Sequence, residues 1–292
     1  MNVSYGTSHK YAKFGRGSTY LESRNGQPLD LAVIAQACPA VLATEAHSSR
    51  SERYTYVSTM AVLEALGKEG FQPFSILQGG SKDEEKRGFT KHLVRFRDQS
   101  VARAETNYEV CLLGSHDGTT SYQMFGGNYR WSCKNGTIFF SDKAVKIQIP
   151  HKGDILQQVV DATFTVANQK QLSYDAIDSF RAITVNRDEQ IAFAEAAAVL
   201  RFEDESPISA QALLVPRRQS DTGNDLWTCF NRVQENVIRG GVSYTVKQEQ
   251  PNGGSRISHR TTRPVRSVDG DVRLNRALWT LTEQMAKIKA TH

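Results

Sequence analysis

FQPFSILQ (71–78), TKHLVRFRD (90–98), YEVCLLGS (108–115), SYQMFGG (121–127), YRWSC (129–133) and TIFFS (137–141) are short apolar or alternating runs parted by Gly, Asp and Asn. Runs of this length with turn signals such as HDG and NG between them predict consecutive hairpin-linked strands from Phe71 to about Ile149. The charged loop between the first two, GGSKDEEKRG (79–88), mixes both signs and predicts a solvated connection rather than a phosphate cradle.

Helix signals flank this block. LDLAVIAQACPAVLA (29–43) is apolar and carries a proline that ends or kinks a helix at Cys38, while STMAVLEALGKEG (58–70) has Ser58 or Thr59 as N-cap and Gly70 as stop. Beyond it, Asp154 precedes ILQQVVDATFTVANQ, Ser173 precedes YDAIDSFRAI and Asp188 precedes EQIAFAEAAAVLRF, and DLWTCFNRVQENVIRG and LNRALWTLTEQMAKIKA complete the helical part. Their apolar stripes need a partner, most simply one face of the sheet. The fold class is therefore α+β, an antiparallel β-meander packed against helices. The expected division is a basic and aromatic arm over residues 1–28, an α+β core domain over 29–205 and a C-terminal helical lobe with a basic loop over 206–292.

The chain of 292 residues carries 36 Lys and Arg against 31 Asp and Glu, a formal charge of +5, so the distribution of charge says more than its total. No apolar run nears the roughly 20 residues of a membrane span, and MNVSYGTSHKYAKFGRGSTY lacks the apolar centre of a signal peptide. A cytoplasmic protein is expected. Cys38, Cys111, Cys133 and Cys229 form no CxxC pair, which argues against a zinc site or a disulfide framework. Neither a Walker-type loop nor a dinucleotide fingerprint occurs, and no cofactor or metal is expected.

Basic residues cluster. The arm sets Lys10, Lys13 and Arg16 among Tyr5, Tyr11, Phe14 and Tyr20, a mixture suited to phosphate contact and base stacking or to packing on the body through its aromatics. Strand alternation puts Lys91, Arg95 and Arg97 on one face of 90–98, either to track a phosphate backbone or to lie solvated beside the acidic loop. YRWSCKNG adds Arg130, Trp131 and Lys134, with Trp131 a base-stacking ring or sheet core. HSSRSERYTY adds Arg50, Arg53 and Tyr54. The stretch from Arg239 to Arg266 holds Lys247, Arg256, Arg260 and Arg263 against the single acid Glu249, and reads as a loop or hairpin whose arginines clamp phosphates.

SHDG (115–118) brings Ser, His and Asp together, but neighbours on a strand point to opposite sides and a triad is assembled in space, so a turn is the better reading. A site built from His92, His116, Asp117 and His151 is the enzyme alternative.

HSSRSERYTYVST, EGFQPF, FTKHLVRFR, GSHDGTTSYQMFGGNYRWSCKNG, DLWTCFNRVQENVIRGG and DVRLNRALW, in this order, resemble the phage- and plasmid-like proteins grouped as domain-of-unknown-function family 932. Thr137 stands where that family usually has leucine, and Gly114 where it usually has asparagine. The resemblance implies a mobile-element setting, and the order of helix, meander and packing helix is similar, as architecture only, to single-strand annealing proteins. The expected function is nucleic-acid binding, single-stranded DNA first, in recombination or replication and as a homo-oligomer. The alternative is a protein-binding anti-defence factor acting on a host protein.

Overall fold

In the computed structural model, residues 9–48, 55–98, 105–132, 135–141, 143–150, 152–203, 205–249 and 255–291 are described. They form two compact units: residues 1–173 with 266–269, and residues 174–265 with 270–292. The division falls near residue 173, not at 205 as expected, because the sheet and the helices that cover it end there.

The first unit is built on an antiparallel sheet whose strands β1 (His9–Lys13), β2 (Thr19–Ser23), β3 (Phe71–Gln78), β4 (His92–Asp98), β5 (Thr106–Gly114), β6 (Tyr122–Arg130) and β7 (Asn135–Ile138) lie side by side in chain order, with β8 (Ile147–Ile149) also paired to β6. The expected meander is there. The arm is not: its described part supplies β1 and β2, and β2 pairs with β3 through Thr19–Gln78 and Leu21–Ile76. Tyr20 and Leu21 alternate polar-facing and core-facing like any strand of the sheet, which a reading by composition alone overlooks.

One face of the sheet buries Leu21, Ile76, Val94, Phe96, Val110, Leu112, Tyr122 and Met124. Against it pack α1 (Leu31–Ala37), α2 (Thr59–Lys68) and α3 (Ile155–Ala167). Asp30 caps α1 by accepting from the Ala32 and Val33 amides, and Pro39 follows its end. Asp154 caps α3 through the Gln157 amide. Asp30 and Asp154 thus each satisfy amides that a helix start leaves without a partner.

The second unit holds most of α4 (Lys170–Ala182), α5 (Arg187–Phe202), α6 (Ala210–Leu213), α7 (Leu226–Arg239), a two-stranded ribbon of β9 (Ser243–Glu249) and β10 (Ser255–Thr261), and α8 (Val268–Ala290) from Gly270 onward. Its core is aromatic: Trp227 stacks on Phe230 at 5.3 Å, and both meet Trp279 edge-on. Two expected caps are corrected. Ser173 lies inside α4, with its hydroxyl bonded to Asn128, and α5 starts after Asn186, which forms a reciprocal capping box with Glu189. No described helix is long and apolar enough to cross a membrane.

Candidate nucleic-acid interface

The cations of β4 are not a solvated face. Lys91 is held by both carboxylate oxygens of Asp269 at 2.9 Å. Glu109 stands beside Arg95 and Arg97 on the adjoining strand, and Arg97 Nε donates to it at 2.8 Å and Arg95 Nη1 at 3.2 Å. All three groups are buried, and Arg95 also donates to the Thr137 carbonyl at 3.0 Å. Arg130 is buried and paired with Glu105 at 3.0 Å. Trp131 lies with its ring 5.0 Å from the Arg97 guanidinium and edge-on to Tyr129. Arg95, Arg97 and Arg130 are therefore buried against carboxylates rather than set out along a solvated face, while Trp131 is half-buried. The physical reason is that desolvated guanidinium groups need a carboxylate, and β5 supplies Glu109 at that register. A one-strand reading, which saw the cations of β4 without their cross-strand neighbour, could not show it.

Arg50, Arg53, Tyr54 and Lys134 lie outside the described residues, as does His151. Arg266 sits over the Phe14 ring at 4.7 Å. Arg263 is exposed, and its carbonyl accepts from Arg201 Nη2 at 3.0 Å.

The ribbon is different. Gly240, at φ +63° with the Thr262 carbonyl 2.6 Å from where a Cβ would stand, turns the chain out of α7. The register then sets Arg260 opposite Tyr244, Ser258 opposite Val246 and Arg256 opposite Gln248 on one face, and Lys247 opposite Ile257 and His259 opposite Thr245 on the other. Arg256, Arg260, Lys247 and His259 are exposed. Among the described residues none of these four has an acidic partner. Arg256 and Arg260, four residues apart, stand about 13 Å from each other along the strand. The predicted basic loop is thus a hairpin with its arginines on one side.

SHDG forms the turn expected: Gly118 has φ +74°, Asp117 accepts from the Thr119 amide and Ser115 Oγ from the Thr120 amide. What the sequence did not reveal is a buried polar cluster beside it. Thr59 Oγ1 lies 2.8 Å from Nε2 of both His92 and His116 and 3.2 Å from the Tyr122 hydroxyl, and all four residues are fully buried. His92 Nδ1 faces the Thr90 carbonyl at 3.1 Å, so it carries the proton there, and its Nε2 accepts from Thr59. The Thr59 proton being spent, His116 Nε2 donates to the same oxygen. Desolvation lowers the His92 pKa to about 4, against the opposing pull of the Thr90 carbonyl and Asp117. The cluster joins α2, β4, β6 and the turn after β5, four separate stretches of chain, and no spacing in the sequence announces it. Two of the four enzyme candidates therefore do meet, but with no exposed surface for a substrate, and they hold each other through Thr59. Among the described residues no group of three or more His, Cys, Asp or Glu is placed to hold a metal.

The profile of a domain of unknown function, DUF932, matches residues 46–279. The chain belongs to this family. Among curated relatives, the UPF0380 protein YfjQ of Escherichia coli (strain K12) is 39% identical over 90% of this chain and 93% of its own, and the UPF0380 protein YafZ of the same organism is 40% identical over the same shares. No solved structure matches. In this DUF932 chain position 114 has a local reason to be glycine: a Cβ there would lie 2.5 Å from the Tyr122 ring that closes the histidine cluster.

Proposed function

We propose that this DUF932 protein binds nucleic acid through the β9–β10 ribbon, with single-stranded DNA the first substrate to test and recombination or replication of a mobile element the setting. The observation that supports this is the ribbon itself: Arg256 and Arg260 share a face with Tyr244, while Lys247 and His259 occupy the other, and all four basic side chains are exposed, with no acidic partner among the described residues. A two-stranded ribbon also fits the major groove of a duplex, so duplex and single strand are both offered in the test. Arginine forks suit phosphate oxygens, and the Tyr244 ring opposite Arg260 suits a base face.

The test is fluorescence anisotropy with labelled single-stranded and duplex oligonucleotides from 50 to 200 mM salt. Each phosphate neutralised on a single strand contributes about 0.7 to the slope of log affinity against log salt, so Arg256→Ala with Arg260→Ala lowers the slope by about 1.4. Over that fourfold change in salt the parent loses about 7-fold more affinity than the double variant. Equal slopes, or no salt-sensitive binding to either polymer, refute the proposal. A nuclease-resistant complex with a host protein that survives both substitutions points instead to the protein-binding reading.

A further inference from the structure

The turn between β1 and β2, KFGRGS (13–18), carries an arginine where a glycine would sit without strain. Arg16 has φ +64° and ψ +27°, the left-handed region that crowds a Cβ against the following carbonyl, and Gly17 follows at φ +79°. The conformation is held by bonds within and beyond the turn. The Phe14 amide donates to the Ser18 carbonyl at 2.7 Å and the Ser81 amide to the Arg16 carbonyl at 2.9 Å. The chain at Gly80 passes so close that a Cβ there would lie 2.7 Å from that same Arg16 oxygen. The Arg16 side chain is exposed, and among the described residues it makes no hydrogen bond or ion pair. The fold gains nothing from this guanidinium, and strain of this kind is a mark of functional positions.

Two more cations gather at the turn. Arg266 lies in the segment 266–269 that belongs to the first unit; its Cζ is 4.7 Å from the centre of the Phe14 ring, and the Ser18 hydroxyl is 3.3 Å from its carbonyl. Lys13 ends β1, immediately before Phe14. Both are exposed and, like Arg16, have no acidic partner among the described residues. The acids nearby are engaged with other cations: Asp83 faces Lys86 at 3.8 Å, Glu84 holds Arg87 at 2.5 Å and Asp269 holds Lys91 at 2.9 Å. Lys82 and Glu85 of the same loop are of opposite sign. Ser18 and Arg266 are 248 residues apart in the chain, so two basic clusters that the sequence keeps separate meet on this one surface.

We infer that Lys13, Arg16 and Arg266, set around Phe14, form a second nucleic-acid contact that binds backbone phosphates on the first unit. The inference rests on the reading of this chain as a nucleic-acid binder and adds to the ribbon a separate surface in the other unit. Contact with the Phe14 ring holds Arg266 without using a hydrogen-bond donor, which leaves its fork for phosphate oxygens. Cations that neutralise phosphates release counterions, so this surface has its own share in the salt dependence of binding.

The experiment is anisotropy titration of the full chain with labelled single-stranded and duplex oligonucleotides, comparing the parent with an Arg16→Gly, Arg266→Gln variant, and with urea unfolding read alongside. Loss of two phosphate contacts to a single strand lowers the slope of log affinity against log salt by about 1.4. Between about 50 and 200 mM salt the parent then loses about 7-fold more affinity than the variant. The urea midpoint of Arg16→Gly should hold or rise, because glycine relieves the left-handed position, and Arg16→Lys, which keeps the charge, should keep the parent slope. Should Arg266→Gln disturb the turn, Arg16→Gly decides alone with a drop of about 0.7. The Arg256→Ala, Arg260→Ala chain separates the two surfaces. A slope lowered by each pair of substitutions supports both contacts, and one lowered by the turn pair alone keeps this inference and overturns the ribbon. A slope lowered by the ribbon pair alone overturns this inference and leaves the ribbon standing. Absence of salt-sensitive binding to either polymer overturns both.

Discussion

Acid should open the first unit through a single imidazole. His92 is fully buried with a pKa of about 4 against an ordinary 6.5. Its folded-state pKa is depressed, so as pH falls the unfolded chain takes up the proton first, and the stability held above about pH 6.5 is lost on the way down to pH 4. Linkage for one site with these two values gives a loss of about 0.7 kcal/mol between pH 7 and 6 and about 1.8 kcal/mol between pH 7 and 5, levelling near 3 kcal/mol below pH 4. Carboxylates titrate in the same window, so the comparison must be with a variant. His92→Gln keeps an acceptor for Thr59 and a donor for the Thr90 carbonyl without an ionisable ring. Hydrogen exchange of the β4–β6 amides reports opening of this unit by itself. The stability gap between parent and variant should narrow by about 1.8 kcal/mol from pH 7 to 5, and the His92 imidazole resonances should titrate near pH 4. Parallel pH curves for the two chains, or an imidazole titrating between 6 and 7, refute the reasoning, since either would mean that water reaches the ring.

Glu109→Gln removes the carboxylate bonded to the buried Arg95 and Arg97 and should destabilise the first unit by about 3–5 kcal/mol in urea unfolding, the scale for breaking one side of a buried pair. Asn186→Ala removes half of the capping box of α5 and should cost about 1 kcal/mol in the same measurement, with no change in DNA affinity. Gly240→Ala forces a Cβ to 2.6 Å from the Thr262 carbonyl at a positive φ, so proteolysis at the ribbon should accelerate while the far-ultraviolet spectrum of the helices is kept.

Much of the fold was legible because it is written in periodicity and punctuation. FQPFSILQ is β3 to the residue, and Asp154 sits where a helix begins because a side-chain oxygen at that place meets free amides. The family was equally legible, since long strings such as GSHDGTTSYQMFGGNYRWSCKNG resemble it, and its model matches residues 46–279. Arg95 and Arg97 show where that reading ends. Their charge is a fact of sequence, but whether the charge meets water depends on which residue stands across the strand pair, and only the register of β4 on β5 places Glu109 there. The ribbon arginines differ in the tertiary structure alone: both groups are basic residues on strands, yet one pair is enclosed by carboxylate and aromatic rings and the other stands in solvent. Composition fixes how many charges a chain has. Long-range pairing decides which of them are desolvated, and desolvation separates a structural arginine from one that is free to bind.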